Sequence, residues 1–210
     1  NYSYIFHFVT ALGMVTLFLF VDFNTISPGA NDNLTGTYAA VCALRMLDMA
    51  GVDFENTEVC AMITDGEEAG LRGCKSWAKN HYDEYVNSGV ETVVLCVDTL
   101  TDREYLRVYN KDMTGTVKNN QQFSQFVMDA SKDAGHDDLE LSSVFFGSSD
   151  AAAFSQAGIT ATCLAAMDPR PADYYHNRRD TADRLVPETI KTGFDVIIST
   201  ILNFDEKGLN

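Results

Sequence analysis

Acidic residues follow three apolar runs of this 210-residue sequence, at positions where they could build a metal site. The runs cover residues 14–21, 58–64 and 92–97, and the acids after them are Asp22, Asp32, Asp65, Glu67, Glu68 and Asp98. Ligand sites of α/β sheets lie beyond the carboxyl ends of the strands, so we expect these side chains to lie close together. Carboxylates gathered in this way repel one another unless a cation lies between them, which predicts a divalent metal.

His176 is the nitrogen ligand that we expect for such a site. It lies in a long polar stretch, residues 167–186, and loops of that length in compact domains are often functional. Carboxylate oxygens with an imidazole suit zinc, and manganese or cobalt are alternatives. The other histidines lie in an apolar run or in surroundings typical of a surface; they are His7, His81 and His136.

Glu67 and Glu68 are adjacent and could perform two different tasks. One carboxylate would bind the metal, while the other would take the proton of a water that attacks a carbonyl group. The alternative is a solvated helix start, because acids are favourable in the first turn of a helix. Gly66 before the pair and Gly70 after it favour a tight turn that directs the two side chains differently.

The composition excludes one class of partner and indicates a compartment. Fifteen basic and thirty acidic residues give a formal charge of -15, which repels a phosphate backbone and predicts no nucleic-acid partner. Such acidity favours cationic ligands, including the amino terminus of a peptide, or simply keeps the surface solvated. The five cysteines form no CxxC pair, so we expect free thiols and a cytoplasmic location, with secretion as the alternative.

Apolar runs alternate with helical stretches after Gly13, which predicts an α/β fold with a mostly parallel central sheet and helices on both faces. Strands are expected at residues 14–21, 58–64, 92–97, 143–146 and 160–166. Helices are expected at residues 35–50, 71–81, 121–134, 150–157 and 187–205. No repeat and no Pro/Gly-rich linker divides the chain, so we expect a single domain over residues 1–210, truncated or atypical over residues 1–21.

Residues 5–21 contain no Lys, Arg, Asp or Glu. Their length is close to that of a membrane span or of the apolar part of a signal peptide. We expect two buried strands that meet near Gly13 instead, because strands covered on both faces also form continuous apolar runs. A membrane partner is expected only if residues 5–21 act as an anchor.

Five segments resemble, in order, the successive motifs of the M28 family of zinc aminopeptidases, which are co-catalytic zinc metallopeptidases. They are residues 27–36 (SPGANDNLTG), residues 67–73 (EEAGLRG), Val97-Asp98, Ser149-Asp150 with Phe154, and Tyr175-His176 with Asp180-Thr181. Each motif is weak alone. Five motifs in the right order, over nearly the whole chain from about Val15 onward, form a specific signal.

The resemblance implies the zinc-dependent exopeptidase fold and the hydrolysis of amino-terminal residues from a peptide substrate, with one or two zinc ions per chain. In the family pattern Asp32 bridges two ions, Asp98 binds the first, and Glu68 and His176 bind the second. Glu67 corresponds to the general base. Tyr175 corresponds to a residue that donates a hydrogen bond to the oxyanion of the tetrahedral intermediate.

One position departs from the family pattern. The family has His-x-Asp before the Pro-Gly-Ala turn, with the His as a ligand of the first ion, whereas this sequence has Phe20-Val21-Asp22. A phenyl ring cannot bind zinc, so the first ion would keep only Asp98 and the shared Asp32. The second ion would keep three protein ligands, which is the pattern of a catalytic zinc.

Three functions are therefore compatible with the sequence. The first is a metal-dependent exopeptidase, either with two ions or as a slower enzyme with one. The second is a catalytically impaired or inactive binding or scaffold domain, for which Phe20 argues and against which Glu67 argues. The third is another reaction on the same fold, such as acyl transfer or cyclisation of a peptide amino terminus.

Overall fold

The computed structural model describes residues 2–20, 26–170 and 172–209, and the side chains of all of these except residues 17–20. The described residues form six α-helices and one five-stranded sheet. The α-helices are α1 (Tyr2–Phe20), α2 (Gly36–Met49), α3 (Arg72–Tyr85), α4 (Gln121–Asp133), α5 (Asp150–Gln156) and α6 (Pro187–Lys207). The strands are β1 (Val93–Asp98), β2 (Leu106–Asp112), β3 (Val117–Lys118), β4 (Leu141–Ser143) and β5 (Thr160–Ala166). Helices α2 to α6 pack against the sheet.

The sheet has the order β1–β5–β2–β3, and β4 pairs with β2. The pairs β1–β5 and β2–β4 are parallel, whereas β2 is antiparallel to β5 and to β3. The predicted α/β class, with its mostly parallel central sheet, is confirmed. Antiparallel pairing is confined to two pairs that involve β2.

Alternating side chains of the strands build a core on each face of the sheet. Leu106 and Val108 of β2 pack in one cluster with helices α2, α4 and α6. Tyr109 of the same strand packs in the other cluster with α3 and α5. Successive side chains of a strand point to opposite faces, so the predicted arrangement of helices on both faces follows and is confirmed.

Helices α2 to α6 and strands β1 and β5 confirm their predictions with small shifts at the ends. The strand predicted at residues 143–146 overlaps β4 (Leu141–Ser143) only at Ser143, and residues 144–146 are not strand, so its position is wrong. The strand predicted at residues 58–64 is wrong, since those residues form neither helix nor strand. A strand requires a hydrogen-bonded neighbour, and no described strand pairs with this segment.

The two strands predicted within residues 5–21 are also wrong for the residues that the structure describes, because Tyr2–Phe20 forms the single helix α1. A continuous apolar run fits a strand or a helix equally well, and periodicity alone does not distinguish them. The described side chains of α1, residues 2–16, are exposed. Within the described residues, no helix is both long enough and apolar enough to cross a membrane.

Candidate metal centre

Asp32 is held in position by a turn between residues 29 and 35 that is bonded to the end of β1. The carbonyl oxygen of the buried Asn31 side chain accepts hydrogen bonds from the backbone N–H groups of Leu100 (3.0 Å) and Thr101 (3.2 Å). Asn33 Oδ1 accepts from the N–H of Thr99 (3.2 Å). The two asparagines on either side of Asp32 therefore fix it beside the carboxyl end of β1.

Gly36 brings the start of α2 close to the same strand. A Cβ atom on Gly36 would lie 2.3 Å from the carbonyl oxygen of Val97 and 2.5 Å from Asn33 Oδ1. No side chain fits at that distance, so the approach of α2 to β1 requires glycine here.

Asp180 supports Asp32 from the long loop near the carboxyl end of the chain. Its buried carboxylate accepts hydrogen bonds from the backbone N–H groups of Asn31 (2.8 Å) and Asp32 (3.0 Å). Asp180 belongs to the last of the five sequence motifs and Asn31 to the first, but the supporting role of these two residues follows only from the structure. Residues 149 positions apart in the chain cannot be paired from spacing alone, although the Asn-Asp-Asn pattern of residues 31–33 was a visible signal.

Glu67 and Glu68 lie in a tight turn directly before α3. The carbonyl of Glu67 accepts from the N–H groups of Gly70 (2.9 Å) and Leu71 (2.8 Å). Gly73 allows the turn to pack closely, since a Cβ atom there would lie 2.4 Å from the carbonyl oxygen of Asp65. The predicted tight turn at the glutamate pair is confirmed.

Three of the four expected ligands converge on one point. His176 Nε2 lies 2.8 Å from Glu68 Oε1 and 3.1 Å from Asp32 Oδ2. The possible ligand atoms of the three side chains all lie within 4.8 Å of one another. Two ligand atoms about 2.0–2.2 Å from one zinc ion lie at most about 4.4 Å apart. The separations of 2.8 and 3.1 Å from His176 Nε2 are below this limit, so the three side chains fit a single ion.

The pKa of His176 is raised by its hydrogen bond to Asp32 and by the charges of Glu68 and Glu67, while burial opposes the rise. The imidazole is thus surrounded by negative charge. A divalent cation between these groups would relieve the repulsion among the carboxylates.

Asp98 lies at the end of β1, close to this group but outside the three converging side chains. Burial raises its pKa well above the usual range, and the charges of Asp32 and Glu67 add to the effect. Its Oδ1 atom is buried without a hydrogen-bond partner among the described residues. Buried polar atoms usually have partners, so this oxygen fits the chemistry of a metal ligand.

Glu67 lies in the same negative field, close to Glu68, Asp32 and His176. Burial raises its pKa to about 7, with further contributions from the charges of Glu68 and Asp150. Asp150 is the first residue of α5, and its Oδ2 accepts a hydrogen bond from Thr64 (3.1 Å), whereas its Oδ1 is buried without a partner in the described part of the chain. The sequence analysis placed Asp150 in a motif without identifying its proximity to Glu67.

Tyr175 lies against the histidine. Its ring stacks on that of His176 with 3.7 Å between the centroids. Burial is the main cause that raises the pKa of the Tyr175 hydroxyl, and the charges of Asp32 and Glu68 raise it further. The phenol is therefore kept protonated and can donate a hydrogen bond beside the cluster.

The family's His-x-Asp position corresponds to Phe20-Val21-Asp22 in this chain. Phe20 is the last residue of α1, and its side chain lies outside those that the structure describes. Asp22 also lies outside the described residues.

The α/β fold thus carries an acidic, histidine-containing cluster that could hold a metal ion. The model of peptidase family M28 matches residues 15–201, and the chain belongs to this family. The predicted membership is therefore confirmed.

Known aminopeptidases resemble this chain in sequence and in fold. Aminopeptidase YwaD of Bacillus subtilis (strain 168) is 28% identical over 194 residues, which are 83% of this chain and 37% of that protein. The LapA aminopeptidase of Legionella pneumophila aligns with a TM-score of 0.71 and 17% identity over 86% of this chain and 48% of its own. BSAP, a zinc aminopeptidase from Bacillus subtilis, aligns with a TM-score of 0.61 and 23% identity over 84% of this chain and 42% of its own. The chain thus spans less than half the length of these relatives.

Proposed function

We propose that this chain is a zinc-dependent exopeptidase that removes amino-terminal residues from peptides. The observation that carries the proposal is the convergence of Asp32, Glu68 and His176 beside the unpartnered carboxylate oxygen of Asp98 in a member of family M28. The names of the aminopeptidase relatives support the same class of reaction.

The proposed metal ligands are Asp32, Glu68 and His176 for one ion, with Asp98 and the shared Asp32 for a second. Zinc bound there would supply Lewis-acid activation of a water molecule and of the peptide carbonyl group. The support for one ion is stronger, because three side chains already lie within 4.8 Å of one another. The first ion of the family pattern, at Asp98 and the shared Asp32, has one possible ligand fewer, since Phe20 replaces a histidine of that pattern.

Glu67 is the proposed general base. Its carboxylate oxygen takes the proton from the attacking water and then delivers a proton to the nitrogen of the departing peptide. Its half-buried carboxyl group lies among the charges of Glu68, Asp150 and Asp32, beside the proposed ligands, where it can accept a proton and release it again.

The Tyr175 hydroxyl is the proposed donor to the oxyanion of the tetrahedral intermediate. Its stacking on His176 holds the ring beside the proposed ligands, and its raised pKa keeps the proton on the phenol. A pre-positioned donor of this kind stabilises charge that develops only in the transition state.

The second candidate function is a binding or scaffold domain without full activity. Phe20 favours it, because the loss of a nitrogen ligand weakens the first metal position. Retention of Glu67 opposes it, because a binding domain requires no general base.

Metal content and hydrolysis measured together distinguish the two candidates. Protein purified without chelator would be analysed by elemental mass spectrometry and then assayed on aminoacyl-p-nitroanilides before and after chelation. One or two zinc ions per chain with cleavage that chelator abolishes supports the exopeptidase. Zinc-free protein that cleaves nothing after zinc is added would overturn it and favour the scaffold.

A further inference from the structure

A pocket adjoins the proposed metal centre, and two of its lining residues are direct neighbours of proposed ligands. Asn31, which precedes Asp32, and Tyr175, which stacks on His176, both line the pocket. A substrate whose amino-terminal peptide bond lies at the metal centre would therefore place its first side chain near this pocket.

Thr99 provides a polar atom in the pocket that has no partner. The residue is 7% exposed, and its hydroxyl is buried without a hydrogen-bond partner among the described residues. Thr99 lines the pocket directly after the end of β1. Buried hydroxyl groups are normally hydrogen-bonded, so the Thr99 hydroxyl keeps an unused hydrogen-bonding capacity at the wall of the pocket.

Two carboxylates line the same pocket, Asp102 and Asp168. The pKa of Asp102 is raised first by burial, and the charge of Asp168 raises it further. Among the described residues that line the pocket there is no Lys, Arg or His. The negative charge of the pocket is therefore not neutralised by its own walls.

Both carboxylates are held in place. The Tyr174 hydroxyl donates a hydrogen bond to Asp102, and Asn31 Nδ2 donates one to the Tyr174 oxygen (3.3 Å). Asp168 Oδ1 accepts from the backbone N–H of Arg170 (2.7 Å). The preceding residue, Met167, is anchored by its N–H, which donates to the Tyr109 hydroxyl (3.2 Å).

The remaining wall of the pocket is apolar. Phe146 and Met167 line it together with two alanines, Ala166 and Ala172. An apolar wall that leads to two carboxylates and a hydroxyl matches a side chain with a hydrocarbon stem and a cationic end.

We propose that this pocket binds the first side chain of the substrate and selects lysine or arginine, with the stem against Phe146 and Met167 and the charged end paired with Asp102 and Asp168. The Thr99 hydroxyl accepts a further hydrogen bond from the cationic group. This inference rests on the proposed exopeptidase function, because that function places an amino-terminal residue beside the pocket.

Binding of two small amides tests the selectivity without turnover. Lysinamide and norleucinamide share the α-amine, the amide and a four-carbon stem, and only lysinamide carries the terminal ammonium group. On the zinc-loaded full chain carrying Glu67→Gln, in which the proposed general base is removed and the amides stay intact, calorimetry at 0.15 M salt should give a Kd for lysinamide about tenfold lower than that for norleucinamide. Equal affinities, or a preference for norleucinamide, would overturn the proposal.

Two matched substitutions separate the pocket from the general acidity of the chain. Asp168→Asn should remove most of the difference between the two amides, because it removes one of the two paired charges. Asp53→Asn also removes one negative charge, but at an exposed site outside the pocket lining. It should leave the ratio of the Kd for norleucinamide to the Kd for lysinamide unchanged. A ratio that survives Asp168→Asn, or that falls equally in both variants, would overturn the assignment to this pocket.

Hydrolysis then distinguishes the failure of this inference from the failure of the proposed function. Cleavage of norleucine p-nitroanilide in clear preference to the lysine and arginine substrates would leave the exopeptidase standing and overturn the pocket's selectivity. Selective binding of lysinamide without cleavage of any substrate would support the pocket and overturn the exopeptidase function.

Discussion

At the scale of single residues, the chemistry of the site follows from several carboxylates that lie close to one imidazole. Asp32 is only 15% exposed in its side chain, whereas Glu68 is 62% exposed. One ligand is thus fixed by the fold, and the other reaches in from the surface. The resemblance and the spacing of acids after the strands predict these ligands. The supporting role of Asp180 could not be predicted, because its two hydrogen bonds join residues 149 and 148 positions apart in the chain.

Glu67→Gln should reduce kcat/KM on an aminoacyl-p-nitroanilide by at least about 100-fold, because the amide cannot accept the proton of the attacking water. Zinc content should stay unchanged, since Glu67 is not a proposed ligand. Kinetics and elemental mass spectrometry on the same samples check both statements. Glu84→Gln, at an exposed position of α3, is the matched control and should keep full activity. Full activity in Glu67→Gln would show that another group acts as the base.

His176→Ala should lower the zinc affinity by more than about 100-fold. Loss of a residue that only hydrogen-bonds to a metal ligand already lowers metal affinity by about 10–100-fold, and loss of a ligand itself should cost more. The variant removes the nitrogen atom that lies 2.8 Å from Glu68 Oε1. Competition with a chromogenic chelator measures the affinity. His7→Ala is the control, because His7 is exposed on helix α1 and its hydrogen bonds, among the described residues, are to Ser3 of the same helix. Equal zinc affinity in the two variants would contradict the assignment of His176.

At the scale of elements, the sequence predicted those segments whose pattern is local. Helices α2 to α6 show periodic apolar faces, and β1 and β5 are short apolar runs between polar ends. Strand β2 was missed because it ends in Lys111 and the fully buried Asp112. The charge of Asp112 is accommodated by the N–H and hydroxyl of Ser149, at 3.0 and 2.6 Å, a contact across 37 residues that no local pattern reveals.

Gly36→Ala should destabilise the protein by about 1–3 kcal/mol, because the added methyl group would force α2 away from β1. The contact is with the backbone oxygen of Val97, at 2.3 Å, which cannot rotate aside. Urea unfolding followed by circular dichroism measures the free energy of unfolding. Zinc affinity should fall as well, since Asn33 and the Asp32 turn adjoin the displaced helix.

Gly13→Ala is the matched control for Gly36→Ala. A Cβ atom on Gly13 would meet no atom within 4 Å. Alanine also favours a helix more than glycine does, so this variant should be neutral or slightly more stable. If both variants had the same stability, the close approach of α2 to β1 would not be a determinant of the fold.

At the scale of the whole molecule, the sheet separates two apolar clusters and brings the proposed ligands together at one edge. Helices α2, α4 and α6 cover one face, and α3 and α5 cover the other. The site forms where the end of β1, the turn before α2, the turn before α3 and the late loop meet. The described side chains of helix α1, residues 2–16, belong to neither cluster, which follows from their exposure.

Removal of residues 1–16 should therefore leave the unfolding midpoint and the zinc affinity of the remaining chain unchanged. The described side chains of this segment are exposed, so their loss uncovers no apolar surface of the core. Calorimetry of the truncated and full-length chains, each loaded with zinc, measures the midpoint. A fall of more than about 4 °C, which corresponds to roughly 1 kcal/mol or more, would show that α1 packs against the rest of the chain. Removal of residues 187–210 is the contrasting control, because it deletes α6 with Val196 and Ile197, which are buried in the first apolar cluster. This deletion should abolish cooperative unfolding, since the face of the sheet under α6 would be left uncovered.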